Sequence, residues 1–382
     1  MPKSDWYDIK FLESAANARE VIRRSNGRNP SATVARDVSV CIQQGRLFFE
    51  AAADAPIQIK PLLLYYGVVA FAQAVVTATK CASLCTLTRS HGLSDVTPGG
   101  AKLENLELCF QGAGTFCEFN DTIAPLGRIW YFDNMMPRWF EKAFDLSKRL
   151  CAQKVTIKEV LARMPGLSDM YQQTFGSSAA NLSIQLHFDD PLERCTLRID
   201  DPYLYTDRDS LITAIQNWRS AYPFLNQWRF VEASHAWGSS ILIFDNAKKD
   251  LDDLSHASLV HGDDNRIEAA DGLVGGSNRF VAVSDILPPL SGGYVRAGAT
   301  HVMLPLTGAM LPEYSLQFLG SFLLSSLVRY RPQIWQQVIS RSITEHGTAD
   351  DRALSLIEAF LDDTLISFPR MVVRVIDLHR TA

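Results

Sequence analysis

Several signatures of common enzyme classes are missing from this chain of 382 residues. There is no CxxC pair, which removes the main signal for a zinc ribbon or a thioredoxin-like site. GxSxG, HExxH and an EF-hand spacing are absent, and no serine stands beside a histidine in a triad-like arrangement. The glycines at 112 and 114 are followed by Thr115, not by Gly-Lys-Ser/Thr, so a phosphate-binding loop gets no support there. Charge of one sign is not in excess. Lys plus Arg is 37 against 42 for Asp plus Glu, a net −5, which excludes a globally basic nucleic-acid binder. Apolar runs of membrane length are also lacking. The longest, Pro61–Val76 and Leu316–Val328, are interrupted by Tyr65, Tyr66 and Gln73 and by Gln317 and three serines, and they fall short of the roughly 18 apolar residues of a span. They read as core helices. The N-terminus has no apolar signal-peptide core. Cysteines number seven, odd and scattered, which fits reduced thiols and a cytoplasmic protein. Cys81 and Cys85, four apart, are expected as buried thiols on one helix face. No cofactor, metal or membrane is expected.

What is present suits a folded protein: 47% hydrophobic and 21% charged residues suffice for a core of normal size. The first 90 residues read as helix. Trp6, Ile9, Phe11, Leu12, Ala15 and Ala16 recur near a 3.6 period, and Asn26-Gly27 with Asn29-Pro30 marks a turn. Ser31 is placed to cap a second helix carrying Val34, Val38, Cys41, Ile42 and Phe49. A third helix, from about Ile57 to Ala82, is apolar almost all round and belongs in the centre of a bundle. From Leu103 the pattern changes. Residues 107–111 and 128–132 read as strands around a Gly-rich turn, and 183–188 with 195–199 as a hairpin. Leu211 to Tyr222 reads as helix. Residues 229–233, 240–244, 279–283 and 301–304 are strand candidates, and 245–271 an exposed acidic connection. Pro312 and Glu313 start a helix running to about Ile339. Thr348 or Asp351 starts another, ending near Phe368-Pro369.

This order predicts an α+β fold: a helical bundle built from both chain ends around an inserted mixed region. The expected segments are 1–100 (helical), 101–305 (inserted strands and helices) and 306–382 (helical, packing on the first). Pro61–Val76 and Leu316–Val328 are expected to be buried against each other.

Four segments together resemble the YaaC-like bacterial proteins. They are Lys60-Pro61-Leu62-Leu63-Leu64-Tyr65-Tyr66-Gly67, the His91-Gly92-Leu93 loop, Gln111-Gly112-Ala113-Gly114-Thr115-Phe116, and Arg329-Tyr330-Arg331-Pro332 with Trp335. The last is followed by Ile357, Phe360-Leu361 and Phe368-Pro369. Order and spacing match over nearly the whole chain. The resemblance implies a soluble bacterial protein and carries no established catalytic mechanism. The helical part is similar to HEPN-type bundles, which often serve in toxin and phage-defence systems.

HEPN ribonucleases use an Arg, four to six residues, then a His, for charge stabilisation and proton transfer. Arg341 and His346 fit and are the best placed, between two C-terminal helices. Arg296/His301, Arg229/His235 and Arg374/His379 fit as well, which chance explains among 26 Arg and 8 His. Glu345 beside His346 would repel a phosphate. A second candidate site is a ligand-contacting loop with His91 and Arg89, ranked behind the reading in which His91 hydrogen-bonds the backbone while Gly92 supplies a positive φ. Lys60, just before Pro61 at a helix start, is placed to reach a phosphate, although a lysine there is usually a solvated side chain. The cluster Asp250, Asp252, Asp253, His256, His261, Asp263 and Asp264 reads as a solvated acidic loop before it reads as a cation site. The leading expectation is association with proteins, as a homodimer or with a partner from the same operon, in phage defence or stress response. The alternatives are a HEPN-like ribonuclease using Arg341 and His346, with RNA not favoured, and a metal-dependent hydrolase using the acidic segment.

Overall fold

The computed structural model describes residues 6–100, 102–123, 127–133, 136–142, 150–189, 194–236, 238–247, 254–255, 257–260, 266–269, 280–281, 283–287, 290–291, 300–309, 311–340, 342–343, 349–350 and 352–377. The chain opens with α1 (Tyr7–Leu12), α2 (Ala15–Asn26), α3 (Ala32–Ala53) and α4 (Lys60–Lys80). Next come β1 (Leu93–Asp95), β2 (Glu107–Phe110), α5 (Thr115–Ile123), β3 (Gly127–Asp133), β4 (Met136–Lys142), β5 (Lys154–Thr156), α6 (Ile157–Leu161) and α7 (Ser168–Phe175). The middle continues with β6 (Asn181–Asp189), β7 (Arg194–Asp201), α8 (Arg208–Ala221), β8 (Arg229–Ala236), β9 (Ser239–Asp245), β10 (Ala257–Val260), β11 (Arg266–Ala269), α9 (Val283–Ile286), β12 (Leu290–Ser291) and β13 (Thr300–Met303). The end holds α10 (Glu313–Tyr330), α11 (Pro332–Ile339), β14 (Ser342–Ile343), β15 (Ala349–Asp350) and α12 (Arg352–Ile376). The fold is α+β.

The chain forms two compact units: residues 1–126, 143–180 and 305–382, and residues 127–142 with 181–304. Residues 102–123 and 150–180, read from sequence as part of the inserted region, thus cluster with the helical ends.

In the helical unit α4 is central. It is long and apolar enough to cross a membrane by composition, yet most of it is buried inside the protein. Gly45 on α3 and Gly67 on α4 let those helices approach: a Cβ on Gly67 would strike the Phe49 ring, and one on Gly45 would lie 2.5 Å from Phe71. Against α4 lies α10, through Tyr65 and Phe318, whose ring centroids are 5.8 Å apart, edge to face. The two apolar runs do bury each other. Phe368 of α12 stacks on Phe119 at 5.7 Å. The buried Gln317 of α10 donates its amide Nε2 to Ser367 Oγ at 2.5 Å and to Asp363 Oδ2 at 3.1 Å, while its Oε1 is buried with no partner among the described residues.

Local chemistry explains several departures from the expected elements. The first helix breaks at Ser14, whose hydroxyl accepts from Asn17 N and caps α2. Ser31 caps α3 as expected. α4 stops at Lys80 because Cys81 turns left-handed (φ 50°), with Asn26 Nδ2 bonded to the Ala78 carbonyl. Cys81 and Cys85 therefore do not share a helix face, and Cys85 is exposed. The expected helix from 312 to 339 is two helices, since proline disfavours helical geometry at the residue before it and Arg331 adopts φ −137°, ψ 52°. α12 runs past Phe368-Pro369 to Ile376. An interior proline costs about 3 kcal/mol, but Phe368, Met371, Val372, Val375 and Ile376 are buried, each worth roughly 1.5–3 kcal/mol.

β2 does not pair with the 128–132 strand. The Gly-rich turn leads into α5 instead, and β2 lies between β1 and β5 in a three-stranded antiparallel sheet.

The second unit is built on one sheet in the order β10-β11-β8-β9-β7-β6-β13-β12, with β3 pairing β4 and, in parallel, β6. The expected hairpin is β6–β7. Its core gathers Leu211 and Ile215 of α8 with Trp228, Phe230 and Phe244. Asp245, fully buried, is held by Arg229 through two bonds of 3.0 and 2.5 Å. Two expectations fail here. Val283 begins a helical turn and is not a strand end. Part of the supposed acidic connection is the antiparallel pair β10–β11.

Candidate functional site

The four segments quoted above meet in the helical unit. Tyr65 and Tyr66, about 100° apart on α4, point to different environments: Tyr65 is fully buried and Tyr66 is exposed. The Tyr65 hydroxyl lies 2.8 Å from His91 Nδ1. The loop that presents His91 is fixed by its backbone. Thr115 N donates to Ser90 O at 2.8 Å, Phe116 N to His91 O at 3.0 Å, and Gln111 N to Gly92 O at 2.9 Å. The first-turn N–H groups of α5 thus find acceptors. Gly92 (φ 80°) and Gly114 (φ 142°) supply the backbone conformations, and they sit almost in contact.

Tyr65 determines the tautomer of His91. Its hydroxyl is buried and has no other acceptor among the described residues. A buried donor left unpaired is costly, so Tyr65 donates to Nδ1 and the proton of the neutral ring sits on Nε2. Burial, then the charge of Arg329, holds the His91 pKa below its usual value. Burial raises the Tyr65 pKa, keeping it a donor.

Arg329, in the last turn of α10, donates to the Tyr66 hydroxyl at 3.3 Å. Its guanidinium lies 5.7 Å from the centroid of Tyr66 and 4.8 Å from that of Tyr330, within cation–π range. Tyr66 also packs on Phe48 at 5.5 Å. Arg331 is occupied differently. It pairs with Asp95 at 3.5 Å and donates to the Thr97 carbonyl, while Ser326 also bonds Asp95. It pins the end of α10 to the β1 strand.

Of the site residues read from sequence, His91 lies at the centre of this cluster. Its ring bonds a side chain and not the backbone. Arg89 is exposed and makes no ion pair or hydrogen bond among the described residues. Lys60 bonds Asp362 of α12 at 2.8 Å, so its charge is matched within the protein. Arg341 and His346 lie outside the described residues, as do all seven members of the 250–264 acidic cluster. Among the described residues no three metal-ligating side chains gather. Sequence reasoning did not single out Tyr65, Tyr66, Arg329 or Tyr330, although all stand in the segments that carried the resemblance. A separate groove of about 730 Å³, lined by Lys102, Glu104, Lys158, Phe175, Gln337 and Arg352, lies elsewhere in the same unit.

A family model for YaaC-like proteins matches residues 10–376. The chain belongs to the YaaC-like family. No curated protein and no solved structure shows a match.

In this YaaC-like protein the depressed His91 pKa gives a signed expectation. The unfolded chain titrates His91 near its ordinary value of about 6.5, and the folded chain at a lower pH. Between the two the unfolded state binds more protons, so stability contributed by His91 is complete above about pH 6.5 and is lost as pH falls toward the folded pKa. Denaturant unfolding at pH 7 and pH 5 should show a smaller acid-induced loss in His91→Gln than in wild type. Equal losses would contradict the assignment.

Proposed function

We propose that this YaaC-like protein acts by associating with another protein chain, either a second copy or a partner from the same operon, and that Tyr66, Arg329 and Tyr330 anchor the contact. The carrying observation is the exposed stack itself: Tyr330 is 71% and Tyr66 36% exposed, with the Arg329 guanidinium against both rings. Tyr and Arg are the residues on which protein interfaces concentrate their binding energy. Side chains already ordered against each other lose less freedom on binding. We infer a cytoplasmic setting in phage defence or stress response, a reading that draws on the resemblance of the helical part to HEPN-type bundles.

The test compares wild type with Arg329→Ala and Tyr330→Ala. Light scattering after gel filtration reports self-association, and pull-down from the native host, repeated with the purified partner, reports a heterologous complex. Loss of one anchor should weaken the complex about tenfold or more, with circular dichroism and Tm unchanged. Variants that keep the same mass and the same partner would overturn the proposal. Arg341→Ala and His346→Ala are expected to leave cellular activity nearly unchanged. RNA cleavage that needs the partner and vanishes in His346→Ala would instead promote the ribonuclease alternative.

A further inference from the structure

The groove of about 730 Å³ in the helical unit shares no residue with the Tyr66–Arg329–Tyr330 stack. Its size suits a small molecule, since ligand sites usually run about 300–1,000 Å³. Part of its lining is Lys102, Glu104 and Lys158. They come together where the turn Leu103–Asn105 packs on α6, with Ile157 N donating to Leu106 O at 2.8 Å. The Lys158 ammonium lies 5.1 Å from the centroid of Phe175, at the end of α7. Another part of the lining is the first turn of α12, from Arg352 to Leu354. Arg352 Nη1 ties it to α7 by donating to Gln173 O at 3.0 Å, and Thr174 Oγ1 lies 3.3 Å from Arg352 O. The side chains of Lys102, Lys158 and Glu104 make no ion pair or hydrogen bond among the described residues.

We infer that this groove binds a small sugar phosphate, a phosphate monoester on a hydroxylated carbon frame. Two unpaired ammonium groups match the nearly double negative charge of a phosphate monoester at neutral pH. A carboxylate would leave one of them unmatched. The start of α12 adds a field that favours an anion. Arg352 is partly spent on the Gln173 carbonyl. The match therefore rests on the two lysines and not on a net charge. The side chains of Arg341, Asp350 and Asp351, next in sequence to the lining, lie outside the described residues. Glu104 repels a phosphate but accepts from hydroxyl groups, which selects a ligand carrying both. Phe175 already meets Lys158 and the Tyr171 ring, 4.9 Å away, so it is no free platform for a base. A nucleic-acid strand is held by a row of cations along its phosphates, which two lysines beside a carboxylate do not supply. Binding here is independent of the association proposed above.

Titration calorimetry on the full chain at neutral pH compares ribose 5-phosphate with ribose, inorganic phosphate, gluconate, adenosine monophosphate and oligouridylate. Ribose 5-phosphate should bind at least about tenfold more tightly than ribose, phosphate or gluconate. Adenosine monophosphate and oligouridylate should bind no more tightly than ribose 5-phosphate. Lys102→Gln and Lys158→Gln should each weaken ribose 5-phosphate about tenfold or more, with circular dichroism unchanged. Lys154→Gln is the control, since its ammonium lies 3.6 Å from Glu107 and does not line the groove; it should bind as wild type does. Glu104→Ala should weaken ribose 5-phosphate and leave inorganic phosphate no weaker. Several results would overturn the inference. They are no binding of ribose 5-phosphate up to about 10 mM, equal affinity for ribose, phosphate or gluconate, and tighter binding of adenosine monophosphate or oligouridylate. Lysine variants that bind like wild type, an equal loss in Lys154→Gln, or a Glu104→Ala variant that keeps its affinity for ribose 5-phosphate would do the same.

Discussion

Gly114→Ala is expected to destabilise the helical unit by about 4 kcal/mol, adding strain at a glycine-only backbone conformation to overpacking of a closed site. At φ 142° a side chain is already strained. The new Cβ would also run into the backbone nitrogen and Cα of Gly92 and would lie 2.8 Å from Ser90 Oγ. Backbone held by hydrogen bonds to Thr115, Phe116 and Gln111 cannot give way as a flexible side chain could. Separating the two turns would move His91 from Tyr65. Gly27→Ala is the control: φ is 62° there, but nothing lies within 4 Å of the added Cβ, so only the left-handed penalty of about 1–2 kcal/mol remains. Urea unfolding of both variants decides the matter. Equal midpoints would mean that the Gly92–Gly114 approach is not what fixes the loop.

Phe318→Ala should cost about 3–5 kcal/mol, the usual range for emptying a large aromatic site in a core. Phe318 is fully buried on α10 and meets Tyr65 of α4 at 5.8 Å and, from α5, Phe116 at 5.5 Å and Phe119 at 5.7 Å. The truncation therefore loosens three helices at once and leaves a cavity that a rigid surround fills poorly. Phe318→Leu, which keeps most of the volume, should lose much less. Tm and denaturant midpoints measure both. A loss below about 1 kcal/mol in Phe318→Ala would show that the α4–α10 contact is not a principal source of stability.

Much of the fold was legible from residue order. The α4 run is apolar on every side, so it had to be central, and α10 had to lie on something equally apolar. Ser31 as a cap and the β6–β7 hairpin followed from short-range rules. Element ends were less legible. The positive φ of Cys81 and the burial that carries α12 through Pro369 both depend on neighbours far away in sequence.

The site was legible only in pieces. His91 drew notice for its type, and Lys60 for its charge, but sequence does not show that Lys60 is matched by Asp362, 302 positions away. Arg329 gave no signal beyond its place in a quoted segment, since an arginine near a helix C-terminus is ordinary. By itself the sequence determined the α+β class, the two core helices and membership of the YaaC-like family, because periodicity, capping and segment order are properties of the chain. Only the tertiary structure decided that Tyr65 sets the tautomer of His91 and that Arg329 lies against two tyrosines with no carboxylate partner among the described residues. Those facts rest on contacts between residues 26 and 263 positions apart, and proximity of that kind arises only when the helices pack.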